Sequence, residues 1–372
     1  MSDPEIIYEI AISRLSKMTP DLVRALPERG VTLEDFFSIP TPELTSALGL
    51  SGSFRFEKME RDEALFNARK EYELMQKHNI TGHFILNEDY PFRLSQANDA
   101  PIFYYQIGTA NLDSQHVVSV VGTRRPTPYG IDFCKKLISD LAAYFPDLLV
   151  VSGLAYGIDA AAHTAALEAS RPTVAVVAHG LNMIYPAQHR DLARKIVKEG
   201  GAIISEYPFC STPYRQRFLE RNRIVAALPD AVVVVESDIK GGAMSTANTA
   251  FSYSREVMAL PGRISDQTSS GCNHLIRKEK AHLITCGADL IEILGWQPLD
   301  IKLAPQQRNL FPELDGDSKL IYDTLRFSSD PMQTDRLHMQ TQIPIPRLMS
   351  TLGEMEFDGI VIRHPGNRYS IA

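Results

Sequence analysis

This sequence contains few cysteines and lacks any long apolar run. Only four cysteines occur in 372 residues, without a CxxC pair: Cys134, Cys210, Cys272 and Cys286. A disulfide framework and a structural zinc site are therefore not expected, and this usage fits a reducing cytoplasm. No apolar stretch approaches the roughly 18 residues that span a bilayer, and residues 1–8 carry acids where a secretory signal is basic. We therefore expect a cytoplasmic chain that has no membrane partner.

An excess of positive charge is also missing, because 38 Lys and Arg residues face 45 Asp and Glu residues, for a formal net charge of −7. This balance excludes a surface that is basic all over, so any nucleic-acid site must be a local patch. The chain is 44% hydrophobic and 22% charged, which is typical of a globular protein with a large core. Its length allows two or three domains, and its composition excludes disorder throughout.

Composition divides the chain into four segments. Residues 1–75 predict a small helical domain of the SAM or helix-hairpin-helix type, with nine basic and fourteen acidic residues. Its stretch Leu48-Gly49-Leu50-Ser51-Gly52 resembles the hairpin of that motif, but the acidic surroundings favour a plain turn between packed helices. Residues 76–297 hold the main domain, and 298–315 form a linker rich in proline and glutamine. Residues 316–372 predict three helices and two strands, the arrangement of a winged helix.

The main domain alternates short apolar runs with segments of helical length. The runs are Val117–Val121, Leu148–Val151, Thr173–Ala178, Ala202–Ile204, Ala231–Glu236 and Val257–Leu260. Strands that are apolar on both faces and are joined by helical crossovers predict an α/β fold with a Rossmann-like, doubly wound, mostly parallel sheet. Weaker strands are predicted around His83 to Leu86 and around Ile102 to Tyr105.

Three strand-to-helix loops of this sheet carry glycines, hydroxyls and cations. Ligands of an open parallel sheet bind at the carboxyl ends of its strands, and a helix start or a glycine-rich nest there favours a phosphate. Neither a Walker loop nor GxGxxG is present, so no dinucleotide or other cofactor is expected. The candidate contacts are Gly122, Thr123, Arg124 and Arg125 in the first loop, Ser152 and Gly153 in the second, and Lys240, Gly241, Gly242, Ser245 and Thr246 in the third.

A basic segment rich in aromatic residues lies between the second and third loops, at residues 207–223. Four arginines face one acid there, and interleaved aromatic residues match a groove that follows a nucleic-acid backbone and stacks its bases. No catalytic residue or metal cluster is expected in the loops. Asp159 is interpreted as a carboxylate that stabilises a helix start, and His163 as a packed histidine.

These residues resemble the DNA-processing protein A (DprA, also called Smf) family. The matching motifs follow one another from Val120 to Ile276 and include Val120-Val121-Gly122-Thr123-Arg124, Ser152-Gly153-Leu154-Ala155, Ser205-Glu206-Tyr207-Pro208, Arg221-Asn222-Arg223-Ile224 and Gly271-Cys272-Asn273-His274. The resemblance implies a homodimer that binds single-stranded DNA and helps to load RecA in natural transformation, with RecA and single-strand-binding protein as partners. It adds Arg221, Asn222 and Arg223 to the DNA-phosphate contacts. Glu220, Tyr156 and Asn248 stand where basic residues are common in the family.

The sequence leaves two other functions open. A nucleotide-binding hydrolase related to the Lonely Guy phosphoribohydrolases would need a positioned acid, and the third loop offers only Glu236 and Asp238. The glutamate that follows GGxGT in those enzymes has no counterpart after Thr246. A transcriptional regulator would read DNA with the winged helix, but its predicted recognition helix contains Glu354 and Glu356, which phosphates repel.

Overall fold

The structure is a computed structural model that divides the chain into two compact units, Met1–Leu299 and Asp300–Ala372. The residues that it describes are 4–50, 55–298, 314, 316–326, 328, 331–357, 360–364 and 367–371. Most of the predicted linker, the last two residues of the predicted helix-hairpin-helix turn and the Pro-Gly of the predicted wing turn lie outside these residues.

Five helices come first among the described residues of the first unit. They are α1 (Glu5–Ser13), α2 (Pro20–Glu28), α3 (Leu33–Ser38), α4 (Thr41–Ala47) and α5 (Lys58–His78). A capping box of Thr32 with Asp35 starts α3. The buried side chains of these helices, Ile10 and Phe36 among them, belong to the same hydrophobic cluster as Phe103 of the sheet. The segment predicted as a helical domain therefore shares one core with the sheet.

Nine strands form one sheet within residues 55–298. They are β1 (Thr81–Phe84), β2 (Phe103–Gly108), β3 (Val117–Val121), β4 (Leu149–Ser152), β5 (Thr173–Val176), β6 (Ala202–Ser205), β7 (Ala231–Val234), β8 (Glu256–Ala259) and β9 (His282–Leu283). Their order is β1-β2-β6-β5-β4-β3-β7-β8-β9. Strands β3 to β9 are parallel, and β2 pairs antiparallel with β1 and β6. The mostly parallel, Rossmann-like sheet is confirmed, and the weak strands are β1 and β2 at its edge.

Helical crossovers cover both faces of this sheet. They are α6 (Phe92–Ser95), α7 (Pro128–Tyr144), α8 (Ile158–Glu168), α9 (Arg190–Lys198), α10 (Arg215–Ala227), α11 (Gly242–Ser252), α12 (Ser270–Arg277) and α13 (Gly287–Leu294). Helices α7, α8 and α13 pack on one face, while α10 and α11 join the N-terminal helices in the core of the other. The strand order reverses beside β3, which has β4 on one side and β7 on the other. A ligand crevice is expected at the carboxyl ends of the strands at such a switch point.

The described residues of the second unit form three helices and a three-stranded sheet. The elements are α14 (Gly316–Arg326), β10 (Met332–Gln333), α15 (Thr334–Thr341), α16 (Ile345–Phe357), β11 (Val361–His364) and β12 (Arg368–Ile371). Ile321, Leu337 and Leu352 are fully buried in their common core. The predicted winged helix is confirmed, and β10 is a strand that the sequence pattern did not reveal. No helix in the described parts of either unit is long and apolar enough to cross a membrane.

Candidate nucleic-acid interface

A cleft of about 780 Å³ opens at the switch point, where the loops after β3, β4 and β7 meet the helix α10. These loops are the ones that the sequence singled out, and the cleft brings nine of the predicted contact residues together. The nine residues are Gly122, Thr123, Arg124, Gly153, Arg221, Asn222, Gly241, Gly242 and Thr246. Their side chains and backbone groups differ in whether they are free to meet a ligand.

The loop after β3 is locked to the loop after β7 by Glu236. The backbone N–H of Thr123 donates to the carbonyl of Glu236 at 2.6 Å. The buried carboxylate of Glu236 accepts hydrogen bonds from the backbone N–H and the hydroxyl of Thr127, at 2.8 and 2.6 Å, and so stabilises the start of α7. Gly130 is required beside it, because a Cβ there would lie 2.6 Å from the carboxylate. Both oxygens of Glu236 are therefore engaged in holding the fold.

The start of α8 makes hydrogen bonds within the protein, although no side chain caps it. The carboxylate of Asp159 accepts the backbone N–H of Ala155 at 3.3 Å, and the N–H of Ile158 donates to Thr123. Burial raises the pKa of Asp159, and the positive charge of Arg221 opposes that shift. These contacts support the predicted role of Asp159 at the helix start. His163 is fully buried against Thr173, and burial lowers its pKa to about 3, as expected of a packed neutral histidine.

The start of α11 also lacks a side-chain cap, and its first residues, Gly242 and Ala243, line the cleft. Gly241 packs so closely that a Cβ would lie 2.3 Å from the hydroxyl oxygen of Ser237, whereas a Cβ on Gly242 would meet no atom within 4 Å. The backbone of Gly242 therefore faces open space at the edge of the cleft. Backbone N–H groups at the start of α11 are therefore placed where they can receive an anion.

Two exposed arginines line the cleft. Arg124 follows β3, and its guanidinium carbon lies 5.9 Å from the ring centroid of Phe218. Arg215 is the first residue of α10. Neither arginine side chain makes a hydrogen bond or an ion pair with any of the residues that the structure describes. Arg124 was predicted individually. From the sequence, Arg215 is only one of the four arginines of the basic segment at residues 207–223. Its position at the start of α10, beside the loops, is what makes it a candidate contact, and the sequence pattern did not reveal that position.

Arg221 lies under the floor of the cleft and is only 4% exposed. Its Nη1 donates to the carbonyl of Gly153 at 2.6 Å and to the carbonyl of Val176. Gly153 must lack a side chain, since a Cβ would approach that nitrogen to 2.3 Å. These contacts give Arg221 a structural role, because its guanidinium joins the ends of β4 and β5 and supports the loop above it; a phosphate contact at Arg221 stays a prediction.

Arg223 points away from the cleft. It forms an ion pair with Glu206, and its Nε lies 4.0 Å from a carboxylate oxygen of Asp99. Successive residues of an α-helix are rotated by about 100°, so residues two apart lie about 200° apart around the axis. Arg221 and Arg223 therefore cannot share one face of α10. The predicted phosphate contact at Arg223 is replaced by a salt bridge behind the helix.

The remaining predicted contacts lie outside the lining of the cleft. Ser152 is fully buried, and its hydroxyl donates to the carbonyl of Val120 at 2.7 Å, so it is not available to a ligand. Arg125 and Lys240 are exposed on the neighbouring loops, and Ser245 is half-buried on α11. Within the described residues no cluster of histidine, cysteine and carboxylate side chains could hold a metal ion.

Aromatic side chains complete the cleft. Tyr185, Tyr214 and Phe218 line it, and the first two are 46% and 51% exposed. The ring centroids of Tyr185 and Phe218 lie 5.8 Å apart. Cations and a free helix start can hold phosphates, and exposed rings can stack on bases. Fold and site together therefore define a doubly wound protein whose cleft has the chemistry to hold phosphates and bases and whose chain also includes a winged helix.

The chain belongs to the DprA/Smf family. A family model described as DNA recombination-mediator protein A matches residues 82–295, and one described as the DprA winged helix domain matches residues 305–367. Protein Smf of Synechocystis is 30% identical over 403 residues, which cover 99% of each chain. The putative DNA processing protein DprA of Mycobacterium tuberculosis is 42% identical over 205 residues, so the match spans 52% of that relative's length.

Two solved structures share the fold. The X-ray structure of DprA from Streptococcus pneumoniae covers 78% of this chain and 98% of its own, with 31% identity and a TM-score of 0.64. The DNA processing protein A of Helicobacter pylori, for which a unique single-stranded DNA binding mode is described, covers 58% of this chain and 95% of its own. Its identity is 33% and its TM-score 0.52.

Proposed function

We propose that this chain binds single-stranded DNA in the cleft and acts as a recombination mediator. The observation that carries the proposal is a pair of arginines, Arg124 and Arg215, whose side chains have no hydrogen-bond or ion-pair partner among the described residues and which lie beside the start of α11 and the exposed aromatic rings. Phosphates would meet the guanidinium groups and the backbone N–H of Gly242. Membership of a family of recombination mediators and the single-stranded DNA binding described for the relative from Helicobacter pylori support it.

The purified chain is expected to prefer single-stranded over double-stranded oligonucleotides, with little sequence preference. Rings stack on bases only when the bases are unpaired, and phosphate contacts carry no sequence information. The logarithm of the binding constant should fall linearly with the logarithm of salt concentration, by about 0.7 per phosphate neutralised. Fluorescence anisotropy across a salt series measures both quantities. Equal affinity for duplex and single strand would contradict the proposal.

We further infer that the chain acts as a homodimer, that RecA and single-strand-binding protein are its partners in natural transformation, and that it consumes no nucleotide. The hydrolase alternative is disfavoured, because the carboxylate of Glu236 already accepts two hydrogen bonds from Thr127 at the start of α7. No cofactor or metal is proposed.

Filament formation by RecA on single strands coated with single-strand-binding protein is expected to rise when this chain is added. The chain alone should release no product from ATP, AMP or cytokinin monophosphates, with or without magnesium and DNA, because the carboxylates of both candidate bases, Glu236 and Asp238, already accept hydrogen bonds within the protein. Turnover that Glu236→Gln abolishes in a variant with an unchanged melting temperature would favour the hydrolase. Unchanged filament formation would contradict a role in RecA loading.

A further inference from the structure

Three side chains of the basic segment form one continuous stack beside the cleft. The guanidinium carbon of Arg217 lies 4.6 Å from the ring centroid of Tyr207 and 4.5 Å from that of Tyr214. The planar cation is therefore held between two aromatic rings, an arrangement that cation–π attraction stabilises. We call Tyr207, Arg217 and Tyr214 the tyrosine–arginine stack.

Hydrogen bonds within the protein hold two members of the tyrosine–arginine stack in place, the cation Arg217 and the inner ring Tyr207. Nη1 of Arg217 donates to the carbonyl of Thr212 at 2.7 Å. The hydroxyl of Tyr207 donates to a carboxylate oxygen of Glu220 at 2.9 Å, and burial together with this bond raises the pKa of Tyr207, which stays a neutral phenol.

The loop that carries the stack is pinned as well. The N–H of Phe209 donates to the buried carboxylate of Glu71 on α5 at 2.5 Å, and the N–H of Gly180 donates to the carbonyl of Ser211 at 2.8 Å. These bonds tie the loop to α5 and to the loop after β5. The stack is therefore ordered before any ligand arrives, so binding to it costs little conformational entropy.

The outer end of the stack is open and faces the cleft. Tyr214 is 51% exposed although Arg217 covers one side of its ring, and both Tyr214 and the adjacent Arg215 line the cleft. A phosphate held by Arg215 would bring the neighbouring base of a single strand to this ring. Stacking on an aromatic ring tolerates every base, because each base has a π-face.

We propose that Tyr214 is a base-stacking residue. A bound strand continues along α10 beyond the phosphate contacts of the cleft, and one of its nucleobases stacks on the free face of the ring of Tyr214, at the outer end of the tyrosine–arginine stack. The inference rests on the proposed binding of single-stranded DNA and adds a contact to the bases as distinct from the phosphates. Arg217 is then a positioning residue, which holds the ring of Tyr214 in place without touching DNA.

The test compares oligothymidylate with an abasic oligonucleotide of the same length, which keeps the phosphates and lacks the bases. Tyr214→Ala should weaken binding to oligothymidylate by about fivefold to about a hundredfold and leave binding to the abasic strand and the salt dependence unchanged. Tyr214→Phe should bind like the parent, since it keeps the ring. Arg217→Lys keeps the charge and loses the planar group, so it should weaken binding to oligothymidylate alone. Tyr144→Ala is the matched control, a 40% exposed tyrosine at the far end of α7.

The outcomes separate the two proposals. Equal losses on both strands, or no loss on oligothymidylate in a variant with an unchanged melting temperature, would overturn the stacking role while leaving the phosphate cleft in place. A parent chain that fails to bind oligothymidylate at all would overturn both.

Discussion

Replacing Arg221 by alanine is expected to lower the free energy of unfolding by about 3 kcal/mol or more, because several buried polar groups lose their partner at once. The carbonyls of Gly153 and Val176 lose a charged donor, and the buried carboxylate of Asp159 loses its stabilising positive charge. The interpretation of this arginine as a DNA contact predicts the opposite, a stable protein that binds poorly.

The loss caused by Arg221→Ala should depend on pH. Burial raises the pKa of Asp159 and Arg221 lowers it, so the variant holds a carboxyl whose pKa in the folded state is raised further above its unfolded value. Between that raised pKa and the lower pKa of the unfolded chain, the folded variant holds a proton that the unfolded chain has released, so its stability rises as pH falls through this range. We therefore expect the difference from the parent to be largest at neutral pH and to shrink on acidification.

Denaturant unfolding at several pH values measures both effects. Arg194→Ala is the matched control, because the side chain of Arg194 is 77% exposed and pairs with the exposed Asp191 on α9. Its stability should stay within about 0.5 kcal/mol of the parent. An Arg221→Ala variant as stable as this control would show that the buried guanidinium does not support the loops.

The sheet could be predicted from the sequence because its signal is local. Ala231–Val234 is apolar at every position and Val117–Val121 at every position except Ser119, a pattern that a strand covered on both faces requires, and helix-length segments separate such runs. The meeting of the three loops followed from topology alone, since carboxyl ends of parallel strands share one edge. For the apolar runs, strand bounds differ from the predicted ones by at most two residues, because buried residues continue past the strand ends: β7 ends at Val234, and the buried Val235 and Glu236 follow it.

The roles of single residues in the cleft depended on contacts between distant parts of the chain. Glu236 stabilises the start of a helix 109 residues earlier, and Arg221 reaches a carbonyl 68 residues earlier. No pattern of neighbouring residues in the sequence predicts such long-range pairs. The family motif places Arg221 and Arg223 together, yet helical rotation sends them to different sides of α10. Arg215 stood outside the family motif and was therefore missed.

Removing both free cations of the cleft, by Arg124→Ala with Arg215→Ala, should weaken single-strand binding by about a hundredfold or more at low salt. A hydrogen bond from a charged group contributes about 1.5–3 kcal/mol, and the two sites do not share a partner within the described residues. The magnitude of the slope of the logarithm of the binding constant against the logarithm of salt concentration should fall by about 1.4, because two fewer phosphates are neutralised. The difference in affinity between the parent and the double variant should therefore become smaller as the salt concentration rises.

The fold of this double variant should be intact, because both side chains are exposed and neither belongs to the core. The losses should be alike on mixed sequences, on oligothymidylate and on the abasic strand, since a phosphate contact is independent of the base. Arg194→Ala removes an exposed arginine on α9, outside the lining of the cleft, and should leave the salt slope unchanged. A double variant that melts normally and keeps the parent's affinity and slope would place the phosphates elsewhere, and the exposed Arg125 and Lys240 on the neighbouring loops would be the next candidates.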